Sequence, residues 1–138
     1  MIALVLALML HHPTGPCTGR VYATPPRLGP AVTRQHVRNL IGCATDHWRV
    51  PGGEAMALCI ADRESGFNPR AYNSWSGASG VYQHLARYWP GRASWFLRRR
   101  WFPNSRWPVS AFRARANVIV AVRMAHSGGW APWGGYCG

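Results

Sequence analysis

The apolar residues after position 30 recur every three or four positions, and glycine or proline interrupts the pattern at short intervals. This spacing indicates amphipathic helices that each bury one face. The sequence contains no Asn-Gly hairpin signal between alternating strands. It therefore predicts a mostly α domain of about five helices with little or no β structure. The predicted segments are residues 31–48, 51–64, 76–89 (a turn leading into a short helix), 92–102 and 110–129, the last with Ser110 as its N-cap.

The first thirty residues differ in composition from the rest of the chain. "MIALVLALMLHH" is too short to span a bilayer and has the length of the apolar core of a signal peptide, although its basic start is missing. Residues 13–30 contain five prolines and three glycines, which is typical of a linker. We therefore predict a leader and linker over 1–30 and the folded domain over 31–138. We expect a secreted or wall-associated monomer without a stable membrane span.

The four cysteines form neither a Cys-x-x-Cys pair nor a Cys/His cluster with zinc spacing. An even number in a small exported protein favours disulfides. Three pairings are possible, and we favour Cys59 with Cys137 and Cys17 with Cys43; four free thiols are the alternative. We expect no metal and no cofactor.

The chain carries a net charge of +12, and all sixteen basic residues are arginine. Such a charge indicates an anionic partner, whereas the preference for arginine over lysine also fits coding bias, and both explanations stay open. The segment "WFLRRRWF", residues 95–102, has the same ambiguity. It is either a binding surface for anionic wall polymers or a helix with one solvent-exposed basic face and one buried apolar face.

Glu64 is one of only four acidic residues and lies at the end of an apolar helix face. Ala57, Ile60 and Ala61 precede it on the same face by three- and four-residue spacing. Apolar neighbours and a place in the last helical turn disfavour the charged carboxylate. Arg63 is expected to point away. A carboxyl that stays protonated can serve as a general acid, and the alternative is a helix-terminal glutamate that reaches into water.

Small and polar residues follow Glu64. Ser65-Gly66 ends the helix, and Gly77 to Gly80 leaves room for a bulky ligand close to the backbone. Gln83 can donate to and accept from a sugar hydroxyl or N-acetyl group. The next residue, His84, is expected at the surface or at the edge of the core, with a place in the binding groove as the alternative.

This arrangement resembles a known family. "ESGFNPRAYNSWSGASGVYQ" is similar to the signature of soluble lytic transglycosylases and goose-type lysozymes, in which Glu-Ser at a helix end precedes an Asn-Pro turn and Gly-Ala-x-Gly-aliphatic-x-Gln. "ARANVIVAVRMAHSGGWAPW" is similar to the last helix and Gly-Trp tail of actinobacterial members. The resemblance covers roughly residues 54–133.

The resemblance implies a lysozyme-like α fold with a cleft that binds peptidoglycan glycan strands. It implies that Glu64 protonates the β-1,4 bond between N-acetylmuramic acid and N-acetylglucosamine and then acts as a base. Tyr82 stands where the commonest motif has methionine, and Asn73 stands where many members have serine. Tyr88 is a further candidate because its aromatic ring could stack on a sugar ring. The candidate substrate-binding residues are Ser65, Gln83, Tyr82, Asn73, Tyr88 and Asn117.

The scarcity of acids bears on the mechanism. A two-carboxylate glycosidase needs a second acid roughly 5 to 9.5 Å from the first. Asp62 is about 200° around the helix from Glu64 and Glu54 is nearly three turns away, whereas Asp46 stays open. We therefore favour a lytic transglycosylase, in which the muramyl 6-hydroxyl attacks and leaves a 1,6-anhydro end. A hydrolytic lysozyme is one alternative. A non-catalytic cationic module that binds cell wall or nucleic acid is another, although no specific nucleic acid is expected.

Overall fold

The computed structural model describes residues 15–18, 29–135 and 137. Its regular elements come in the order α1 (Pro30–His47), α2 (Gly53–Ser65), β1 (Ala78–Ser79), β2 (His84–Leu85), α3 (Trp89–Phe96) and α4 (Ala114–Gly128). Two short 3-10 helices span Arg99–Trp101 and Ala131–Trp133. The prediction of a mostly α protein is confirmed. No helix in the described part of the chain is long and apolar enough to cross a membrane.

Local signals set the bounds of the first two helices. α1 begins at Pro30, whose fixed φ suits the first helical turn and whose missing N–H costs nothing there. α2 ends where Gly66 adopts the left-handed conformation with φ 59° and donates its N–H to the Asp62 carbonyl (2.8 Å). The predicted bounds of both helices agree with the structure within two residues.

The segment after α2 differs from the prediction of a turn leading into a short helix. It forms a small antiparallel hairpin that pairs Ala78 with Leu85 and Ser79 with His84. The connecting turn contains Gly80 and Gln83, both with positive φ. The backbone therefore reverses before α3 begins.

The later helices also shift from their predicted bounds. α3 begins at Trp89 and ends at Phe96, because the chain becomes extended at Leu97, whose side chain is buried. The prediction that Ser110 caps the last helix is wrong: Arg113 is the N-cap of α4. The Ser110 carbonyl accepts the Arg113 N–H in a separate turn, and its hydroxyl accepts the Phe112 N–H (3.2 Å).

α4 is the central helix and separates two apolar clusters. One cluster packs α4 against α1 and α2, and the other packs it against α3 and the segment that follows α3. Residues 116–122 of α4 are all fully buried or nearly so. The apolar run "VIVAV" therefore belongs to a part of α4 that is buried on all sides.

Two disulfides, Cys17–Cys43 and Cys59–Cys137, correspond to the favoured pairing. The first attaches residues 15–18 to α1. Cys17 is buried in the core, and the Arg115 side chain donates to the Pro16 carbonyl (2.9 Å). This short segment was predicted as linker but packs with the domain. The remaining leader and linker residues, 1–14 and 19–28, lie outside the described residues.

Loss of either disulfide is expected to destabilise the fold. The bridges close loops with sequence separations of 26 and 78 residues. Each should contribute about 2–4 kcal/mol, with the larger share from the longer loop. Melting temperatures of the C17A/C43A and C59A/C137A variants, each against the oxidised parent, test this. Unchanged melting in the C59A/C137A variant would contradict it.

Candidate functional site

Glu64 lies in the last turn of α2, and 26% of its side chain is exposed. Ala57, Ile60 and Ala61 behind it are fully buried, so the predicted apolar face is confirmed. Arg63, however, does not point away. Its Nη2 lies 3.5 Å from Glu64 Oε1 and also donates to the Trp133 carbonyl. The long side chain of Arg63 thus turns back over the helix end toward two oxygen acceptors, which a backbone spacing argument does not foresee.

Ser65 connects the end of α2 to the hairpin. Its hydroxyl donates to the Val81 carbonyl (2.7 Å) and accepts the Asn68 N–H (3.2 Å). The two parts of the glutamate and glutamine signature, sixteen residues apart in sequence, are therefore in direct contact. Ser65 takes the role of a polar support beside Glu64.

Gln83 closes the hairpin turn and keeps one polar atom available. It has φ 51°, and its Nε2 donates to the carbonyls of Ala71 (3.1 Å) and Gly80 (2.9 Å). Within the described residues, its amide oxygen has no hydrogen bond. The side chain is half-buried, so this oxygen is a candidate acceptor for a ligand N–H or O–H.

Asn117, on α4, holds the hairpin in place. Its Oδ1 accepts the Tyr82 N–H (2.9 Å), and its Nδ2 donates to the carbonyls of Ser79 (3.1 Å) and Ala111 (2.8 Å). A Cβ at Gly80 would lie 2.3 Å from Asn117 Nδ2, so only glycine fits there. Asn117 is fully buried. The predicted substrate contact is therefore wrong for Asn117. Its side chain instead holds the hairpin turn against α4.

Tyr82 is also a core residue rather than a lining of the groove. It is fully buried, its hydroxyl donates to the Ala57 carbonyl (2.8 Å), and its ring stacks on Trp130 with centroids 6.0 Å apart. Burial raises the pKa of the Tyr82 hydroxyl above its ordinary value. The predicted substrate contact of Tyr82 is wrong, because its side chain points toward α2 and the C-terminal turn.

Asn73 and Tyr88 remain exposed. Asn73 Oδ1 accepts the N–H groups of Trp75 (2.9 Å) and Ser76 (3.3 Å) and so shapes its own loop. The Tyr88 ring lies beneath the guanidinium of Arg87, 4.9 Å from its centroid. Both side chains are accessible to a ligand. Within the described residues, neither forms a hydrogen bond or an ion pair with Glu64.

His84 is fully buried, not at the surface or the edge of the core. Arg92 Nη1 lies 3.0 Å from its Nδ1, and its Nε2 lies 3.2 Å from the Asn117 carbonyl. A guanidinium only donates, so Nδ1 accepts and the ring proton is on Nε2. Burial lowers the pKa of His84 to about 3, and the charge of Arg92 acts in the same direction. This network fixes the residue next to Gln83.

Acid is expected to destabilise the protein through His84. The unfolded histidine takes up a proton below pH 6.5, whereas the folded one stays neutral down to about pH 3. Stability is therefore complete above pH 6.5 and falls as the pH drops toward 3, by at most about 1.4 kcal/mol per pH unit. Urea denaturation at several pH values across this range measures the free energy of unfolding. That free energy should fall less steeply with decreasing pH in His84→Gln than in the parent. Equal slopes would contradict the assignment.

A shallow cavity of about 540 Å³ lies away from Glu64, beside the first disulfide. Its walls include Pro16, Trp48 and Trp101 and none of the candidate site residues. Cys17, Cys43 and His47 place their donor atoms within 4.8 Å of one another there, but the two sulfurs form a disulfide and are not available as thiolate ligands. This cavity is therefore separate from the candidate site around Glu64.

Comparison with protein-family models, with curated proteins and with solved structures found no match.

Proposed function

We propose that the protein is a lytic transglycosylase that cleaves the β-1,4 bond between N-acetylmuramic acid and N-acetylglucosamine in peptidoglycan. One observation carries the proposal. The Ser65 hydroxyl bonds to the Val81 carbonyl, so the helix end with Glu64 packs against the turn that presents Gln83. This contact brings together the two segments that carry Glu64 and Gln83.

In the proposed reaction, the Glu64 carboxyl donates its proton to the glycosidic oxygen as the bond to C1 breaks. The resulting carboxylate then takes the proton of the muramyl 6-hydroxyl, whose oxygen attacks C1 and closes the 1,6-anhydro ring. The Gln83 amide oxygen accepts a hydrogen bond from a substrate N–H or O–H and so orients the strand. Ser65 joins the end of α2 to the hairpin turn, and Asn117 holds that turn against α4.

The positions of the other acids support a single-carboxylate mechanism. Glu54 lies in the first turn of α2, at the opposite end from Glu64, and its Oε1 would lie 3.0 Å from a Cβ at Gly42 of α1. The end of α1, which carries Asp46, therefore lies beside the start of α2 and not beside Glu64. Asp62 is exposed. A hydrolytic lysozyme, the alternative on this site, would need an activated water in place of the 6-hydroxyl.

The two disulfides support a location outside the cytoplasm, where thiols are oxidised. Incubation of the full chain with purified peptidoglycan tests the proposed activity. We expect release of soluble muropeptides. Absence of release across the acidic to mildly alkaline pH range would overturn the enzyme and favour a binding module.

A further inference from the structure

Positive charge is unevenly distributed along the chain. All four acidic residues lie between 46 and 64, whereas residues 65–138 contain ten arginines and no aspartate or glutamate. Coding bias can account for the use of arginine in place of lysine. It does not explain why acidic residues are missing from the second half.

Part of this charge lies in the segment between α3 and the start of α4, where two arginines cover aromatic rings of the same segment. Arg99 covers the Trp107 ring at 5.2 Å from its centroid, and Arg113 covers Phe102 at 5.5 Å and donates to the Ser105 hydroxyl. We name this the arginine surface and define it by four exposed residues: Arg98, Arg99, Arg106 and Arg113.

The aromatic rings hold these guanidinium groups in place. A guanidinium that stacks on a ring keeps the N–H donors at its edge directed outward. Because two of the side chains are already ordered against Trp107 and Phe102, less conformational entropy is lost when they bind an anion. Planar guanidinium groups suit the paired oxygens of phosphate.

Two half-buried arginines increase the positive charge beneath the surface. Burial and the nearby charge of Arg113 lower the pKa of Arg115 to about 10. Burial and the charge of Arg98 lower the pKa of Arg123 in the same way. No acidic side chain of the second half of the sequence offsets these like charges. A bound polyanion would relieve the repulsion.

We propose that the arginine surface binds the phosphodiester chain of a polyol-phosphate polymer of the cell envelope. Two observations favour this polymer over nucleic acid. The rings that the guanidinium groups cover are not presented for stacking on bases, because Phe102 is buried and Trp107 is half-buried beneath Arg99. Phe112, next to Arg113, is 44% exposed, and binding to a single-stranded oligonucleotide tests whether it stacks. The two disulfides indicate an oxidising compartment. The inference is independent of the proposed enzyme, because binding does not involve Glu64.

Binding of the full chain to purified poly(glycerol phosphate), free of peptidoglycan, tests the proposal across a series of salt concentrations. The R98Q/R99Q/R106Q/R113Q variant removes the surface. The R34Q/R38Q/R49Q/R70Q variant removes the same charge from exposed positions elsewhere. We expect the surface variant to lose at least about tenfold in affinity, with a salt slope lower by roughly one for each lost phosphate contact, and the control to lose much less.

Three results would overturn the proposal: no binding by the parent, equal loss in both variants, or tighter binding to a single-stranded oligonucleotide of matched charge. If the fourfold variant does not fold, Arg99→Gln and Arg106→Gln measured singly should each lower the salt slope. If the salt dependence of the affinity were unchanged in both single variants, the proposed binding surface would be ruled out. The Glu64→Gln variant should bind like the parent, so failure of the enzyme and failure of this surface are distinguishable.

Discussion

Replacing Glu64 with glutamine is expected to abolish the release of soluble muropeptides from purified peptidoglycan. The amide has nearly the same shape as the carboxyl but can neither deliver the proton to the glycosidic oxygen nor accept the proton of the 6-hydroxyl. Loss of a general acid and base should lower the rate by at least about 10²–10⁴-fold. The fold should tolerate the change, because glutamine fills the same space and only the 3.5 Å ion pair with the largely exposed Arg63 is lost.

Asp62→Asn is the matched control for Glu64→Gln. It removes the same charge from the same helix, two residues away and on an exposed position. We expect it to keep the parent activity, and both variants to melt within a few degrees of the parent. Full activity in Glu64→Gln would remove the catalytic role of this residue.

Replacing Asn117 with alanine is expected to destabilise the protein strongly. The change removes three buried hydrogen bonds and leaves the Tyr82 N–H and the carbonyls of Ser79 and Ala111 without their partner. An unsatisfied buried polar group costs about 1–3 kcal/mol. We therefore expect the free energy of unfolding to fall by about 3 kcal/mol or more, a large part of the stability of a domain of this size.

Urea denaturation at constant pH measures this loss, with Asn39→Ala as the control. Asn39, on α1, accepts one exposed hydrogen bond from Gln35 (3.0 Å), and its loss should cost about 0.5 kcal/mol or less. Equal stability of the two variants would mean that Asn117 does not hold the hairpin turn.

The sequence predicted those parts of the fold that depend on neighbouring residues. Pro30 and Gly66 start and stop their helices by their own backbone preferences, so both bounds could be predicted. The end of α3 could not be predicted, because the chain becomes extended at Leu97, whose side chain is buried against distant residues. The hairpin depends on Asn117, more than thirty residues away in sequence, and no local pattern contains that information.

The same distinction applies to the candidate site. The signature named Glu64 and Gln83 as candidate residues, and the Ser65–Val81 hydrogen bond joins the segments that carry them, a contact that residue spacing does not define. The sequence did not indicate which side of the turn faces inward, since Val81 and Tyr82 are consecutive and both fully buried, without strand alternation. The positions of Arg63 and Arg92 also depend on how far a long side chain reaches, which residue spacing does not define.

The chemical nature of the cleaved chain ends distinguishes the proposed transglycosylase from its alternatives. Purified peptidoglycan is digested with the parent protein and with Glu64→Gln, and the soluble fragments are analysed by mass spectrometry. We expect 1,6-anhydro-muramyl ends, lighter by one water than reducing ends, with the parent and no fragments with the variant. Reducing ends alone would identify a hydrolase, and no fragments from the parent would contradict the assignment of Glu64 as a catalytic acid.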